Sequence, residues 1–252
     1  MRVLEATAKL GPYFAWEPWD GDTDGWRPLT DLYDAGVVAE RVGVARQTLI
    51  AMTGLSADEV GEREVASITF LGWASRLVSP LLGAVAVAGA LPLPDAGWLR
   101  WREAPGGPLP IAYAEMSVTD VAGLDAAEVA AAIGGMPTVA PMLGVIGRRF
   151  RLPEHLLWGN VASALGGAAG MIADASPEHA ARAAAVVEEL LKRAPLAGTA
   201  RLERPDPRRD RWFLVRGNCC LYYRIPGGGK CGDCVLTPDD VRRRHWQAVL
   251  RR

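Results

Sequence analysis

All four cysteines of this 252-residue chain lie in one short segment that reads "NCCLYYRIPGGGKCGDCV". They are Cys219, Cys220, Cys231 and Cys234. Clustered thiols are ligands for a soft or borderline metal, so the segment predicts zinc or an iron–sulfur cluster and excludes calcium and magnesium. If the chain stays in the cytoplasm, where thiols are kept reduced, metal or redox chemistry is favoured over disulfides.

The spacing of the cysteines favours an iron–sulfur cluster over zinc. Structural zinc sites usually combine two Cys-x-x-Cys turns, and only "CGDC" has that form. Neighbouring side chains of an extended chain point to opposite faces, so Cys219 and Cys220 would chelate one small ion poorly. The spacing also differs from the plant-type, bacterial and Rieske patterns of known clusters. The spacing alone therefore favours an iron–sulfur cluster without excluding zinc.

Composition predicts a protein with a sizeable core and gives no reason to expect nucleic-acid binding. Half of the residues are apolar, which is enough for a sizeable core, and the formal net charge is -1. Such a balance gives no global field that would attract nucleic acid. The N-terminal sequence has no apolar signal core or small-residue cleavage site, so we expect a cytoplasmic location. Loose association with the inner face of the membrane is left open.

Two charge-free apolar runs raise the question of a membrane span. The run from Leu77 is interrupted by Pro80, and we expect its unbroken part to be too short to cross about 30 Å of hydrocarbon. The run from Leu156 to Ala173 is long enough, but it is rich in small residues and contains Asn160 and Ser163. We interpret it as a buried core helix.

The pattern along the chain predicts an α+β fold, mainly helical, with a small antiparallel hairpin or sheet and a C-terminal iron–sulfur-binding segment. Capping boxes are expected at Ser56 with Glu59 and at Asp125 with Glu128. We expect the first to open a helix that runs towards Leu91. "WLRWRE" and "IAYAEMSV" predict a hairpin, and "TARLE" and "RWFLVR" predict two further strands. Residues 1–28 are expected to be irregular.

Further helices are predicted through "AEVAAAI", "APMLGVIGRRF" and "LLWGNVASALGGAAGMI". Another should begin at Ser176 as N-cap with Pro177 at its first position, and "TPDDVRRRHWQAVLRR" should form a terminal helix. We divide the chain into a mainly helical body, residues 1–206, and a C-terminal cluster-binding segment, residues 207–252.

The cysteine segment resembles the FhuF-like ferric siderophore reductase family, whose C-terminal Cys-Cys-x10-Cys-x2-Cys motif binds a [2Fe–2S] cluster. Arg216 before the pair, "CCLYYR" and "GGGKCGDC" fit the family, as do "LWGN" and "ASAL" within Leu157 to Leu165. Asn218 stands where the family often has serine. The first hundred residues add little to the resemblance.

The resemblance implies that all four cysteines hold a [2Fe–2S] cluster that transfers one electron to Fe³⁺ in a siderophore, with a hydroxamate favoured. Hard oxygen ligands bind Fe²⁺ far more weakly, so reduction releases the iron. The sequence has no Walker loop and no flavin or nicotinamide motif, and "GGAAG" at Gly166 lies in a helical run, where it is expected to permit close packing. The electron is therefore expected from an external donor such as a ferredoxin, a flavodoxin or an NAD(P)H-dependent reductase.

Six further residues are candidates for docking the substrate or the electron donor. They are two residues of the "WGN" motif and four arginines near the cysteines: Trp158, Asn160, Arg216, Arg224, Arg242 and Arg243. The alternative for the basic residues is a solvated helix end. For Trp158 and Asn160 the alternatives are core packing and a hydrogen bond to a neighbouring loop.

A second possible metal site has a weaker pattern. The spacing of Asp20, Asp22, Asp24, Gly25 and Asp31 fits a calcium loop, but prolines and a glycine disfavour the entering helix, and an acidic surface loop is preferred. For the whole protein, two alternatives to a ferric siderophore reductase stay open. One is a structural zinc protein with four cysteine ligands, and the other is a [2Fe–2S] carrier or sensor without a siderophore site.

Overall fold

The computed structural model describes residues 2–21, 25–104 and 107–251. Within them it contains eight α-helices, which confirms the mainly helical α+β class. They are α1 (Arg2–Ala8), α2 (Ala35–Thr53), α3 (Glu62–Ala88), α4 (Ala126–Ile133), α5 (Ala140–Phe150), α6 (Glu154–Ala175), α7 (Ala180–Leu191) and α8 (Asp239–Leu250). Short 3₁₀ helices lie at Pro12–Phe14, Leu29–Tyr33, Ala96–Trp98, Pro177–His179 and Tyr222–Arg224.

In the same described ranges, eight short strands form three small sheets. They are β1 (Glu17–Pro18), β2 (Trp26–Pro28), β3 (Ala90–Leu93), β4 (Leu99–Arg102), β5 (Ile111–Tyr113), β6 (Ser117–Asp120), β7 (Ala200–Glu203) and β8 (Phe213–Arg216). The first sheet has the order β1-β5-β4-β2, and its β4–β5 pair is the predicted hairpin. The second half of "IAYAEMSV" instead forms β6, which pairs with β3.

The strands β7 and β8 form an antiparallel pair that leads into the cysteine segment. Ala200 lies opposite Arg216, and Glu203 lies opposite Phe213. Both predicted strands are confirmed. The pair crosses residue 206, where the sequence placed its boundary between body and C-terminal segment, and that boundary stays a prediction.

The centre of the molecule is the packing of α3 against α6, with α7 beside both. Both α3 and α6 are long and apolar enough to cross a membrane by length and composition, and 72% of the apolar window of each is buried inside the protein. Such burial is expected of core helices in a soluble domain. The prediction that Pro80 divides the first apolar run is wrong, because Pro80 lies inside the continuous helix α3.

A tryptophan compensates for Pro80. Proline lacks the N–H that would bond the carbonyl four residues earlier, which is that of Arg76. The indole Nε1–H of Trp16 donates to the Arg76 carbonyl oxygen at 2.8 Å. Trp16 is 4% exposed, so this bond is protected from water. The helix therefore passes through proline without leaving a buried carbonyl unpaired.

The Arg76 side chain fastens the N-terminal residues to the hairpin. Its guanidinium donates to the carbonyl oxygens of Leu109, at 2.6 Å, and of Ala15, also at 2.6 Å, and it bonds that of Pro12 as well. Burial lowers the pKa of Arg76 to about 10, which still leaves it charged near neutral pH. The described part of residues 1–28 is thus more ordered than predicted, and it includes α1 and β1.

Helix ends follow local capping in some places and tertiary packing in others. The Asp125–Glu128 capping box opens α4 as predicted. Glu59 does accept hydrogen bonds from Ser56, but this pair closes a turn, and α3 begins only at Glu62 after Gly61. Ser176 is the N-cap residue and Pro177 follows at the first position, as predicted, but they open a 3₁₀ turn that leads into α7, and the Ser176 side chain makes no capping bond.

Candidate metal centre

The cysteine segment is an irregular loop between β8 and α8. Cys219 and Cys220 follow β8 after two intervening residues, and Leu221 then adopts a left-handed conformation with φ of 72° that turns the chain. The second pair lies in a tight turn, in which the N–H of Cys234 donates to the carbonyl of Cys231 at 3.1 Å. The turn at Leu221 and the turn from Cys231 to Cys234 thus bring the two cysteine pairs together.

The four sulfurs have the chemistry and environment of cluster ligands. All four thiols are free. The Sγ atoms of Cys220 and Cys231 lie 3.7 Å apart, close to the roughly 3.8 Å expected for two thiolates bound at about 2.3 Å to one tetrahedral ion. Backbone N–H groups of Leu221 and Leu236 donate to the sulfurs of Cys219 and Cys234, at 3.3 Å and 3.4 Å. Such bonds stabilise charge on thiolate ligands.

Burial is uneven among the four. Cys220 and Cys234 are each 2% exposed, whereas Cys219 and Cys231 are half-buried. Within residues 2–21, 25–104 and 107–251, no three His, Cys, Asp or Glu side chains meet the geometry of a metal-binding group. The site therefore has one chelating pair at ligand spacing and two further thiols around it.

The thiols influence one another's protonation. The hydrogen bond with Cys231 lowers the pKa of Cys220 to about 6, and the same bond together with burial raises the pKa of Cys231. Burial raises the pKa of Cys219, with added repulsion from Cys220 and Cys234. The Arg216 guanidinium lowers the pKa of both vicinal cysteines, which opposes the effect of burial. A metal ion bound by Cys220 and Cys231 would replace the proton that their sulfurs share.

A buried polar network connects the vicinal cysteines to the two core helices. Arg216 Nη2 donates to Asn160 Oδ1 at 2.7 Å. Asn160 Nδ2 donates to the carbonyl and hydroxyl oxygens of Ser67, at 2.8 Å and 3.0 Å. The Ser67 hydroxyl donates to the Cys220 carbonyl at 2.8 Å. The network runs from α6 through α3 to the cysteine backbone, so both helices hold the loop.

Gly159 and Asn218 complete this network. A Cβ at Gly159 would lie 2.2 Å from Asn218 Oδ1, so only glycine allows Asn218 its position. Asn218 Nδ2 donates to the His155 carbonyl at 2.8 Å, and its Oδ1 accepts from Arg216. Sequence reasoning missed the roles of Ser67 and Gly159. The "WGN" motif contained a signal for Gly159, but nothing local identifies Ser67.

The structure separates the six docking candidates into buried and exposed groups. Trp158, Asn160, Arg216 and Arg242 are at most 5% exposed, so they are not surface docking residues. Arg242 instead donates to the carbonyls of Cys234 and Thr237, at 3.2 Å and 2.9 Å. Arg224 and Arg243 are exposed, and docking stays a prediction for them.

A groove of about 400 Å³ adjoins the turn between Cys231 and Cys234. We call it the cluster groove. It lies between α6, β8 and α8, and its walls include Trp212, Phe213, Gly232, Asp233, His245 and Trp246. The rings of Phe213 and Trp246 stack with centroids 5.1 Å apart. The groove therefore offers an aromatic wall next to the second cysteine pair.

Close packing of β8 on α6 forms the floor of this groove. A Cβ on Gly166 would approach Leu214 to 2.6 Å, and one on Gly170 would approach Arg211 Nη1 to 2.8 Å. The prediction that "GGAAG" permits close packing is confirmed. Gly166 and Gly170 lack side chains, so β8 and the residues before it can pack closely against α6.

The predicted calcium loop is only partly covered by the structure. Asp22 and Asp24 lie outside the described residues. Asp31 forms an ion pair with Arg27 at 3.0 Å, which gives this carboxylate a structural partner. Calcium binding at this loop stays untested.

Four clustered thiols, two of them with N–H donors to sulfur, define a metal- or cluster-binding segment. Residues 216–236 match the family model described as the FhuF 2Fe-2S C-terminal domain, and the match includes all four cysteines. The resemblance is thus confirmed over this segment. The cofactor is a [2Fe–2S] cluster, and the domain is that of an iron–sulfur oxidoreductase family. No curated protein matches the chain.

Proposed function

We propose that the protein is a ferric siderophore reductase of the cytoplasm. The [2Fe–2S] cluster on Cys219, Cys220, Cys231 and Cys234 would supply one-electron transfer to siderophore-bound Fe³⁺. The observation that supports this most is the FhuF-type cysteine domain beside an open aromatic groove. Hydroxamate and catecholate oxygens hold Fe³⁺ tightly and Fe²⁺ weakly, so a single electron is sufficient to release the metal.

The cluster groove is the proposed substrate site. Gly232 and Asp233, between two of the cysteines, form part of its wall, so a ligand there would lie close to the electron source. Its aromatic surfaces suit the apolar spacers of a siderophore, as in most small-molecule sites. Positioning the substrate is the main task of the groove, because electron transfer requires no acid or base.

The charges of the groove favour a hydroxamate over a catecholate. Asp174 and Asp233 contribute two carboxylates, against Arg211 as the arginine of the groove lining. Arg211 already forms an ion pair with Asp174 at 2.9 Å. A strongly anionic ferric catecholate would be repelled by this arrangement, whereas a neutral or cationic ferric hydroxamate would not.

We place the external electron donor against exposed apolar residues of the cysteine loop. Tyr223, Val235 and Leu236 are large apolar residues of this loop that stay between 37% and 44% exposed. Arg224 and Lys230 add positive charge around them. Apolar contact within a basic rim suits transient docking of an acidic carrier such as a ferredoxin or a flavodoxin.

A stopped-flow experiment tests the proposal. The protein is purified and reduced without oxygen, mixed with a ferric hydroxamate, and followed by visible absorbance in the presence of a ferrous chelator. We expect reoxidation of the cluster to coincide with formation of the ferrous complex. The gallium hydroxamate, which cannot be reduced, should bind and leave the spectrum unchanged.

The groove is tested in the same assay with a matched pair of variants. Trp212→Ala removes part of the groove wall and should lower the rate at limiting hydroxamate, with the oxidised cluster spectrum unchanged. Trp98→Ala removes a tryptophan that is 46% exposed elsewhere and should leave the rate unaltered. A cluster that stays reduced with both hydroxamates and catecholates would overturn the reductase and leave a carrier or sensor.

A further inference from the structure

Arg216 has an unusual environment for an arginine. Its side chain is 1% exposed, and it is one of the largest fully buried side chains. A guanidinium stays charged in proteins and has five N–H donors. Burying such a cation is costly unless its charge and its donors find partners.

The partners that the described residues supply to Arg216 are neutral and incomplete. Nε donates to the Asn218 carbonyl oxygen at 3.0 Å, and Nη2 donates to side-chain amide oxygens of Asn160 and Asn218, at 2.7 Å and 3.0 Å. All three acceptors are uncharged amide oxygens. Nη1 is buried and has no hydrogen-bond partner among the described residues. A native protein rarely leaves a charged donor in that state.

The missing partner is an anion next to the vicinal cysteines. Arg216 lies three residues before Cys219 at the end of β8, and its Nε bonds the carbonyl oxygen of Asn218, the residue that precedes Cys219. A cluster bound by four thiolates is an anion, and it gains one more negative charge on reduction. An adjacent fixed cation therefore stabilises the reduced state more than the oxidised state.

We propose that Arg216 is a positioning residue for the cluster, whose free Nη1–H donates a hydrogen bond to a cluster sulfur and raises the reduction potential. Asn160 and Asn218 hold the other side of the guanidinium and so aim Nη1. Hydrogen bonds to the sulfurs and nearby charge are among the factors that set cluster potentials. The inference depends on the cluster and is independent of the siderophore substrate.

Redox titration of the loaded protein tests the effect on potential. Arg216→Gln keeps a polar side chain and removes the charge, and it should lower the equilibrium constant for reduction at least tenfold, which is about 59 mV for one electron. Arg216→Lys keeps the charge but lacks the forked donors of the guanidinium. Its reduction potential should therefore lie between those of the wild type and Arg216→Gln. Arg201→Gln is the matched control, because Arg201 is one residue beyond the strand partner of Arg216 and its side chain is 61% exposed. Its potential should stay near that of the wild type, since water screens the lost charge.

A second measurement uses the wild-type fold and so does not depend on a variant that assembles. Protein labelled with ¹⁵N in the arginine guanidinium groups is reduced and studied by electron–nuclear double resonance. We expect a ¹⁵N coupling to the cluster spin that disappears in Arg216→Lys and persists in Arg201→Lys. Absence of this coupling in the wild type, or a potential for Arg216→Gln that moves no further than that of Arg201→Gln, would overturn the proposal.

Discussion

At the scale of single residues, the site consists of ligands and of the side chains that hold their backbone. The cysteines could be predicted as ligands because their spacing is local in sequence. Their supports were predicted only in part. Asn160 and Arg216 were candidates for docking, yet both are buried and bond to each other at 2.7 Å. The alternative given for Asn160, a hydrogen bond to a neighbouring loop, is confirmed as a hydrogen bond to Arg216, at the end of β8 where the loop begins. Arg216 and Asn160 lie 56 positions apart in the sequence, and no local pattern shows that they meet in the interior.

Gly159 provides a prediction at this scale. In Gly159→Ala the new methyl group would displace Asn218 and break its bonds to Arg216 and the His155 carbonyl. We expect a net loss of about 1–2 kcal/mol, because overpacking costs about 1–3 kcal/mol and alanine returns up to about 1 kcal/mol of helix propensity. Urea unfolding measures the loss of stability, and iron content measures how much cluster the variant binds.

Gly167→Ala is the matched control for that variant. Gly167 lies on the same helix, and a Cβ there meets no heavy atom within 4 Å. We expect equal or slightly higher stability and full cluster content. Equal behaviour of the two alanine variants would contradict the role given to Gly159.

At the scale of elements, helices with local caps were predictable, and elements defined by tertiary contacts were not. The Asp125–Glu128 box and the β4–β5 hairpin depend on nearby residues and were predicted. The path of α3 through Pro80 depends on Trp16, which lies 60 positions from the carbonyl it bonds. No sequence pattern shows that partner.

Trp16→Phe tests this compensation within α3. Phenylalanine fills most of the space but cannot donate to the Arg76 carbonyl. An unsatisfied buried acceptor costs about 1–3 kcal/mol, so we expect the free energy of unfolding to fall by that amount. Thermal unfolding followed by circular dichroism measures it. Trp98→Phe, at an exposed position, should change stability by less than about 0.5 kcal/mol, and a similar loss in both variants would count against the compensation.

Arg242 tests the link between α8 and the second cysteine pair. Arg242→Ala removes the donors to the Cys234 and Thr237 carbonyls. We expect a loss of about 3 kcal/mol, since bonds to charged groups contribute about 1.5–3 kcal/mol each and part of this is offset by water. The cluster should also be lost faster to a chelator, measured as decay of visible absorbance. Arg243→Ala, at the exposed neighbouring position, should decay at the wild-type rate, and equal rates for both variants would refute the link.

At the scale of the whole molecule, the helical body and the cysteine loop differ in what stabilises them. Helices α3, α6 and α7 bury a continuous apolar core, whereas the loop between β8 and α8 has only one 3₁₀ turn as regular structure. The fold class was predictable because the spacing of apolar residues along the sequence indicates which faces of the helices and strands are buried. The arrangement of loop against body was not, because it depends on buried polar contacts.

Removal of the cluster should therefore loosen the loop and leave the body folded. After chelation of the iron under reducing conditions, we expect far-ultraviolet circular dichroism to retain most of its helical signal. Limited proteolysis should then cut between residues 217 and 238. Complete loss of the helical signal would show that the cluster holds the entire fold, as metals do in small zinc domains.

The presence of the cluster is tested by the metal content of the protein made with ample iron and kept from oxygen. We expect two iron atoms and two acid-labile sulfides per chain, with an electron paramagnetic resonance signal after one-electron reduction. Serine at any of Cys219, Cys220, Cys231 or Cys234 should reduce this content. A colourless chain with zinc on the same four thiols would contradict the cluster and the proposed electron transfer together.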